Sequence, residues 1–369
     1  MPTNRRNFFK LSSAGLIAAQ LSSCSVKNPF TNTPTRLYGG YRSYGDTYGA
    51  ACINQDGELI WKFETPARLH ETCLSEDLSL GAVVARRPGS FIQLFAPESG
   101  QSLGQIQAPE GIIFEGHALF RTKATGDLEL WATASPTATS NALLLKYQIT
   151  SVNHISSSNK LQISAGETIA IPGLGPHQML LRNSAEDLNP ELVIAVGGWQ
   201  SIGRTILNAN TFESGLVFFD LENHSSQFVP MADKDLSARH LSTSGNELWV
   251  GMQLADPAPT SHALVYRYSK TDGWNPADEP ATGWHSFNGY IASVTSTDKE
   301  IVATSPQGHI YGRWDLSGRS IETSKVLDIS AATNINNQWW LSSGLGEVNN
   351  AGKEITSGIF WDNHWVGHS

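Results

Sequence analysis

The sequence is poor in cysteine and lacks a long apolar run near its N-terminus. Only three cysteines, Cys24, Cys52 and Cys73, occur in 369 residues, which excludes a small fold held together by several disulfides. The apolar stretch at residues 11–21 is shorter than the roughly 20 apolar residues that a membrane-spanning helix needs. We therefore expect a removable leader in place of a transmembrane helix, and we expect Cys52 and Cys73 to be buried free thiols.

Basic residues are also scarce. The chain has 25 Lys and Arg against 34 Asp and Glu. Without the three basic residues of the leader, Arg5, Arg6 and Lys10, it keeps 22 basic residues and a net charge of −12. A surface that binds nucleic acid needs clustered positive charge to neutralise phosphates. We therefore expect no nucleic-acid partner.

The N-terminal segment combines two export motifs in the expected order. Arg5 and Arg6, followed by a Phe pair and Lys10, resemble a twin-arginine export signal. Residues 21–24, Leu-Ser-Ser-Cys, resemble the box at which a bacterial lipoprotein is cleaved before its cysteine is acylated. The short apolar run between them is typical of a signal peptide.

These motifs divide the chain into three parts. We predict a twin-arginine lipoprotein signal peptide over 1–23, a tether over 24–36 and a folded domain over 37–369. Lipidation at Cys24 would supply several acyl chains, which hold a protein firmly at a membrane. With Ser25 after the cysteine, we predict a periplasmic protein that is lipid-anchored at the outer membrane.

A repeated unit accounts for most of the chain. The 33 Gly and 11 Trp, together with short strands rich in β-branched residues, are typical of a turn-rich all-β protein. Each unit has a His, a short apolar strand, a polar turn and a second strand that ends in small residues. The units begin at His70, His117, His177 and His240, and Gly289 takes the same position in a copy without a His.

The spacing of these units predicts the fold. Their starts are 47, 60, 63 and 49 residues apart, and two further units fit over residues 37–66 and 326–365. Seven units of roughly 50 residues predict a seven-bladed β-propeller. Its C-terminal strand should pair with the N-terminal blade and close the ring. A pair of β-sandwiches is the alternative, which the regular His-first spacing disfavours.

Several short motifs resemble those of a known family. They lie at residues 67–70 (ARLH), 85–89 (ARRPG), 108–111 (APEG), 116–117 (GH), 175–177 (GPH), 239–240 (RH) and 361–364 (WDNH). Together they resemble DUF1513, a family of bacterial periplasmic proteins, over essentially the whole chain after the leader. The resemblance implies a seven-bladed propeller exported by the twin-arginine route. It also implies a role around iron, because members are often encoded beside imelysin-type iron-uptake lipoproteins and haem-containing partners.

The repeated histidines are the leading candidates for a functional site. The first strand of each propeller blade is innermost, so a His that opens it should lie at one mouth of the channel. Four consecutive blades would bring together His70, His117, His177 and His240. Such imidazoles could bind iron, copper or zinc, or hold a haem edge or a carboxylate-bearing ligand. Alternatively, each His could have a structural role and lock a turn against the neighbouring blade.

Other polar residues should border the same mouth. Our candidate ligand-binding residues are Arg86, Arg87, Arg204, Arg239 and Tyr290. Arg86 and Arg87 occupy a tight turn and could bind an anion, or instead form salt bridges between blades. Arg204 belongs to a long insertion in the fourth blade, and long loops of this kind are often lids.

Four further residues are expected to lie outside the site. Alternation along a strand should turn Glu71 and Glu115 away from the histidines beside them. His364 and His368 are close to the C-terminus, and we expect both to be exposed and without a role.

Two classes of function remain open, because a propeller fold by itself specifies neither. The first is an envelope binding protein for a metal, a small ligand or a partner lipoprotein, with a role in iron uptake or homeostasis. The second is a metal-dependent enzyme of the lactonase or oxidoreductase type. The candidate channel residues are mainly His, Arg and Tyr, and an enzyme would need an acidic ligand or an activated base. We therefore favour binding over catalysis.

Overall fold

The computed structural model describes residues 34–43, 45–150, 161–183, 190–203 and 205–369. The predicted signal peptide, Cys24 and Arg204 lie outside this part of the chain. The regular structure of the described residues consists of 30 strands and one four-residue 3-10 helix, Trp284–Phe287. No helix among these residues has the length and apolarity to cross a membrane.

Seven four-stranded antiparallel sheets form the blades of a propeller. Blade one begins with β1 (Arg36–Arg42), β2 (Tyr48–Asn54) and β3 (Leu59–Thr65). Blade two contains β4 (Leu69–Leu74), β5 (Gly81–Ala85), β6 (Phe91–Phe95) and β7 (Ser102–Gln107). Blade three contains β8 (Ile112–Thr122), β9 (Leu128–Pro136), β10 (Asn141–Thr150) and β11 (Gln162–Leu174).

Blade four is interrupted by a small hairpin. It contains β12 (Pro176–Asn183) and β13 (Pro190–Val196), then the hairpin strands β14 (Ser201–Ile202) and β15 (Thr205–Ile206), then β16 (Gly215–Asp220) and β17 (Ser226–Pro230). Blade five contains β18 (Leu236–Ser244), β19 (Glu247–Leu254), β20 (Val265–Ser269) and β21 (Gly273–Pro276).

The last two blades lead back to the first. Blade six contains β22 (Ser293–Ser296), β23 (Glu300–Ser305), β24 (Ile310–Asp315) and β25 (Ser320–Lys325). Blade seven contains β26 (Ile329–Ile335), β27 (Gln338–Ser343), β28 (Glu347–Asn350) and β29 (Lys353–Thr356). The final strand, β30 (Trp361–His368), joins blade one.

The C-terminal strand closes the ring and becomes the innermost strand of blade one. β30 pairs antiparallel with β1, with Arg36 opposite His368 and Gly39 opposite Trp365. It also contacts β4 and β26, the first strands of the two neighbouring blades. The predicted all-β, seven-bladed propeller with paired chain ends is therefore confirmed. The order β3-β2-β1-β30 places β30, and not β1, at the axis.

Apolar side chains fill the spaces between neighbouring blades. Trp249 and Trp314 lie fully buried in a cluster that joins blades four, five and six. Trp131 does the same between blades three and four. Burial of one such large side chain contributes on the order of 1.5–3 kcal/mol. This packing fixes each blade against the next and so holds the innermost strands in place around the axis.

Both cysteines of the propeller are free thiols, as predicted. Cys52 is buried, and burial raises the pKa of its thiol to about 12. Cys73 is partly buried, and its pKa is also raised by loss of solvent. Of the two thiols that we expected to be buried, only Cys52 is fully so. A protonated thiol is a poor nucleophile, so neither cysteine is a leading candidate for chemistry.

Six of the seven innermost strands have an irregularity in their pairing. The register shifts between Leu69 and Thr72 on β4, Phe114 and Ala118 on β8, Pro176 and Met179 on β12, Ala238 and His240 on β18, Ile329 and Ala331 on β26, and Gly39 and Tyr41 opposite β30. A bulge bends its strand and redirects the side chains it carries. Five of these segments contain or border a histidine.

Candidate metal centre

Five histidines, one from each of blades one to five, meet at the propeller axis. They are His364 on β30, His70 on β4, His117 on β8, His177 on β12 and His240 on β18. Contacting rings have centroids between 4.3 and 6.2 Å apart. His117 contacts all four of the others and is 0% exposed. The structure thus brings together the four histidines that the repeat singled out.

The fifth member, His364, corrects a sequence-based prediction. We expected His364 to be exposed and without a role, but it is buried, and its ring lies 4.6 Å from that of His70. The reason is that β30 closes the ring from the inside. His368 lies further along the same strand, is partly buried and hydrogen-bonds the Tyr38 hydroxyl through Nε2 at 2.8 Å. It is therefore not fully exposed either.

The ring nitrogens form two overlapping sets that could each hold a metal ion. One set consists of His70, His117 and His364, and the other of His117, His177 and His240. Within each set, one nitrogen per residue lies within 4.8 Å of the corresponding nitrogens of the others. Three imidazole nitrogens at this spacing need only small side-chain rotations to reach one ion. His117 belongs to both sets and is the geometric centre of the cluster.

Many of these nitrogens have no hydrogen-bond partner among the described residues. They are His70 Nδ1, His117 Nε2, His240 Nδ1 and His364 Nε2. His117 Nδ1 makes no well-aligned hydrogen bond either, but a carboxylate oxygen of Glu71 lies 3.1 Å from it. A buried polar atom without a partner costs about 1–3 kcal/mol, so native proteins rarely leave several together. Their concentration around the axis leaves several lone pairs available to a ligand.

The surroundings favour the neutral form of the histidines. Burial, followed by the charges of neighbouring His and Arg side chains, places the pKa of His70, His177, His240 and His364 well below the usual range. A metal binds the unprotonated imidazole. The four rings are therefore ready to coordinate at neutral pH without first losing a proton.

Glu71 supports the cluster from the neighbouring strand. Its Oε2 lies 3.1 Å from Nδ1 of His117 and accepts a hydrogen bond from the backbone N–H of Ala118 at 3.1 Å. Gln178 contacts the other carboxylate oxygen at 3.4 Å. We expected Glu71 to lie outside the site, but its carboxylate reaches the histidine of the next blade. A carboxylate behind an imidazole is a common outer-shell arrangement at metal sites.

Gly116 allows two of the rings to approach each other. It has φ +101, and a Cβ at this position would lie 2.5 Å from Cδ2 of His70. A side chain would therefore push His70 out of its position beside His117. The Gly-His pair at 116–117 thus has a steric purpose within the cluster.

A cavity of about 190 Å³ opens onto the histidines. Its wall includes His70, His177 and His240, the arginines Arg86, Arg87 and Arg239, and Glu115 and Tyr290. The structure therefore places four of the five candidate ligand-binding residues around one space, and Arg204 is the one outside the described residues. A ligand in this cavity would touch three of the histidines directly.

The arginines of the wall differ in their pairing. Arg239 is only 4% exposed, and its guanidinium stacks on Trp199 with its carbon 3.8 Å from the ring centroid. Burial, with the nearby Arg87 charge, lowers the pKa of Arg239 to about 9, which still leaves it charged at neutral pH. Arg87 lies 3.7 Å from Glu115, and Arg86 lies 3.5 Å from Asp362.

Glu115 is a buried carboxyl in the same wall. Ser135 donates a hydrogen bond to it. Burial raises its pKa, and the charge of Arg87 only partly opposes this effect. We expected Glu115 to lie outside the site as well, but it lines the cavity.

The hairpin of blade four borders the cavity. Ile206 of β15 lines it. Ser201 of β14 accepts a hydrogen bond from Arg87 at 3.1 Å and is anchored to Ser140, whose hydroxyl accepts its backbone N–H at 3.0 Å. The predicted insertion therefore exists and lies against the mouth of the site.

A second group of possible metal ligands lies in loops of blade five and the turn before it. It consists of Asp233, Asp235 and His262. Here the imidazole already has a partner, since Nδ1 of His262 lies 2.7 Å from Asp233. An ordinary ion pair accounts for this group, whereas ring nitrogens of the axial His70, His240 and His364 have no such partner among the described residues.

The fold and the site define a seven-bladed β-propeller with a histidine cluster on its axis. The chain belongs to the family described as "Protein of unknown function (DUF1513)", whose family model matches residues 63–368. The resemblance seen in the sequence motifs is thereby confirmed. None of the curated proteins matches the sequence.

Solved structures show the same fold at low sequence identity. Apo AztD from Citrobacter koseri is 13% identical, with a TM-score of 0.53, over 92% of this chain and 99% of that one. Sqt1 from Saccharomyces cerevisiae is 11% identical, with a TM-score of 0.54, over 86% of this chain and 82% of that one. At such identities the similarity concerns the fold alone.

Proposed function

We propose that this protein binds a divalent transition-metal ion at the axial histidine cluster and acts as a metal-binding protein of the cell envelope. The observation that carries the proposal is the convergence of five imidazoles, four of which have a buried ring nitrogen without a hydrogen-bond partner among the described residues. A structural role explains a histidine that locks a turn, but it leaves these nitrogens without compensation.

The donor set favours some metals over others. Neutral imidazoles suit zinc, copper, nickel and iron, whereas iron sites with open positions commonly add a carboxylate ligand. The five histidines present nitrogen only, and Glu71 stands behind His117 rather than in the ligand set. We therefore rank zinc and copper above iron. A role in iron uptake or homeostasis stays a prediction, supported by the resemblance to family members encoded near iron-uptake proteins.

The location belongs to the same proposal. The leader motifs at Arg5, Arg6 and Cys24 support export by the twin-arginine route and a lipid anchor at the outer membrane. This route carries folded proteins, so a metal could be bound before export. A neighbouring envelope lipoprotein is the expected partner for delivery or transfer of the ion.

Elemental analysis of exported protein tests the proposal. We expect about one transition-metal ion per chain in the wild type, and less than a tenth of that in His117→Ala, because His117 belongs to both candidate sets. His285→Ala is the matched control, since His285 is exposed on the 3-10 helix outside the cluster. The metal should also raise the melting temperature of the wild type, as any ligand of the native state does.

Two outcomes would contradict the metal site. One is wild-type protein that carries no metal and does not bind added zinc or copper. The other is a His117→Ala variant that keeps full stoichiometry. If His117→Ala lowers stability equally with and without metal, the histidines have the structural role instead.

A metal-dependent enzyme is the second candidate function, and Glu115 is the observation that favours it. A buried carboxyl with a raised pKa beside a metal site is a candidate general acid or base. A lactonase-type hydrolysis would use such a group. Residues 100–104 have Gly-x-Ser-x-Gly spacing, but Ser102 is not a candidate nucleophile. It begins the outermost strand β7 and accepts a hydrogen bond from Gln93 at 2.9 Å.

Metal-loaded protein and its Glu115→Gln variant should be compared on a panel of lactones. Turnover that requires both the metal and Glu115 would establish the enzyme. Turnover that survives Glu115→Gln, or none on any lactone, would leave binding as the function.

A further inference from the structure

We infer that the cavity over the histidine cluster takes a small organic carboxylate together with the metal, and that the two ligands bind cooperatively. The inference rests on the proposed metal site and names the class of its second ligand. It draws on the charge of the cavity wall, the stacking of Arg239 and the size and polarity of the space.

The positive charge of the cavity wall favours binding of an anion. Arg86, Arg87 and Arg239 line the cavity with only one carboxyl, Glu115, among the same lining residues. Asp362 is already engaged by Arg68 and Arg86. The wall therefore has an excess of positive charge before any metal binds. Positively charged donors around a concave space attract and orient carboxylates.

Arg239 has the features that a residue binding such an anion needs. Its side chain is 4% exposed and stacked on Trp199, yet Nε has no hydrogen-bond partner among the described residues. A buried guanidinium that keeps its charge needs an acceptor. The stacking fixes its plane, so that its N–H groups are held in position for a carboxylate.

The shape of the cavity favours an organic acid over an inorganic ion. Its volume of about 190 Å³ is several times the roughly 30 Å³ that one water molecule takes up. The wall also has an apolar part, formed by Trp199, Ile206, Leu254 and Pro257. A short hydrocarbon body can pack there while its carboxylate contacts the arginines.

The metal and the carboxylate should each favour binding of the other. A cation at His177 and His240 would lie close to Arg239, whose charge already acts on both rings. A carboxylate between them would screen this repulsion and could supply an oxygen ligand to the ion. Such coupling is reciprocal, and typical couplings correspond to 5–150-fold changes in affinity.

Calorimetric titration with succinate tests the inference. Desalted protein is titrated in metal-free form and after loading with zinc. We expect succinate to bind the zinc-loaded form at least about tenfold more tightly. Arg87→Gln should weaken binding to both forms by at least about tenfold, because it removes a charge-assisted contact. Arg319→Gln is the matched control, since Arg319 is exposed and pairs only with its own turn at Asp315.

Two further arms make the result specific. Arg239→Lys keeps the charge but loses the planar stack, and it should weaken succinate binding without changing zinc stoichiometry. Inorganic phosphate should bind less tightly than succinate, because it cannot use the apolar wall.

The outcomes separate the inference from the function on which it rests. Equal succinate affinity with and without zinc overturns the coupling between the two ligands while the zinc site stands. An unaffected Arg87→Gln overturns the carboxylate site. Tighter binding of phosphate than of succinate overturns the assignment to an organic acid. A protein that never takes up zinc overturns the proposed function and, with it, the coupling.

Discussion

Blades one to five differ from blades six and seven in the side chains that their innermost strands place at the propeller axis. The innermost strands of the first five each carry a histidine, and four of these histidines have a buried ring nitrogen without a hydrogen-bond partner among the described residues. Blade six has no histidine on its innermost strand, and β22 pairs with β23 in continuous register. There Ser293 donates a hydrogen bond to the Ala332 carbonyl at 3.3 Å, and Thr304 donates one to the Ser330 carbonyl.

The comparison of these blades distinguishes polar groups that join parts of the fold from polar groups that remain available to a ligand. In blades six and seven the hydroxyls of Ser293 and Thr304 join neighbouring strands, and that of Ser305 bonds the Phe287 carbonyl of the 3-10 helix. Three exceptions without a partner among the described residues are Ser330 Oγ, Ser342 Oγ and Asn350 Oδ1. On the other side of the axis, the histidines lie at bulges, and four of them have a buried ring nitrogen without a hydrogen-bond partner among the described residues. A functional site is recognisable here by its unsatisfied donors and acceptors, because structural polar groups find partners within the protein.

The largest expected effect that sharpens this contrast comes from acid. The pKa values of His70, His177, His240 and His364 are lowered in the folded state. The unfolded chain therefore binds protons there more readily, and stability is lost as pH falls below the unfolded value of about 6.5. Each histidine can remove up to ~1.4 kcal/mol per pH unit in that range.

Urea unfolding of metal-free protein between about pH 7 and about pH 5 measures this effect. His364→Gln should flatten the profile, and His285→Gln should not, because His285 is exposed. If the free energy of unfolding does not change over this pH range, the pKa values of the buried histidines are not lowered in the folded state.

The next largest effect should come from the glycine between two rings. Gly116→Ala places a Cβ 2.5 Å from His70 at a φ of +101, and we expect a loss of about 1–3 kcal/mol together with weaker metal binding. Gly126→Ala is the matched control, because Gly126 also has positive φ, at +85, but no atom lies within 4 Å of its Cβ position.

Denaturant unfolding and zinc titration of the two variants separate backbone strain from crowding of the cluster. Equal losses of stability with unchanged zinc affinity in both would mean that Gly116 serves the backbone alone.

A smaller effect is expected behind the cluster. Glu71→Gln keeps an oxygen that can accept the Ala118 N–H but removes the negative charge beside His117. Loss of such an outer-shell carboxylate typically costs 10–100-fold in metal affinity. Competition with a zinc chelator measures the change, and a Glu71→Gln affinity within twofold of the wild type would remove Glu71 from the site.

The smallest effect should come from the other side of the axis. Ser293→Ala removes one hydrogen bond to the Ala332 carbonyl and should cost about 0.5–1.5 kcal/mol of stability, with no change in metal affinity. Unfolding and zinc titration of the same preparation provide both readouts. A loss of zinc binding would show that blade six contributes to the site and would break the contrast between the two sides.

Much of the fold could be predicted from the sequence, because each blade repeats a local pattern of strand and turn. The same repeat brought out His70, His117, His177 and His240, which the structure places together. His364 was missed although closure by the last strand was predicted. A closing strand occupies the innermost position of its blade, so its residues reach the axis without following the first-strand pattern.

Other features depend on contacts between blades. The bulges that direct the histidines interrupt the simple two-residue alternation of a strand. Glu71 is adjacent to His70 in the chain, but its partner is His117, 46 residues later and one blade away. The pairing of Arg87 with Glu115 also crosses from blade two to blade three. No local pattern contains this information, since it arises from the rotation that relates one blade to the next.

Whether the metal binds at the axial histidines can be measured by X-ray absorption at the zinc edge of protein loaded with one equivalent of zinc. We expect imidazole nitrogens at about 2.0–2.1 Å from the ion, with outer-shell scattering from several rings that disappears in His117→Ala. A spectrum with only oxygen ligands, or one unchanged by His117→Ala, would place the ion elsewhere and contradict a metal site on the propeller axis.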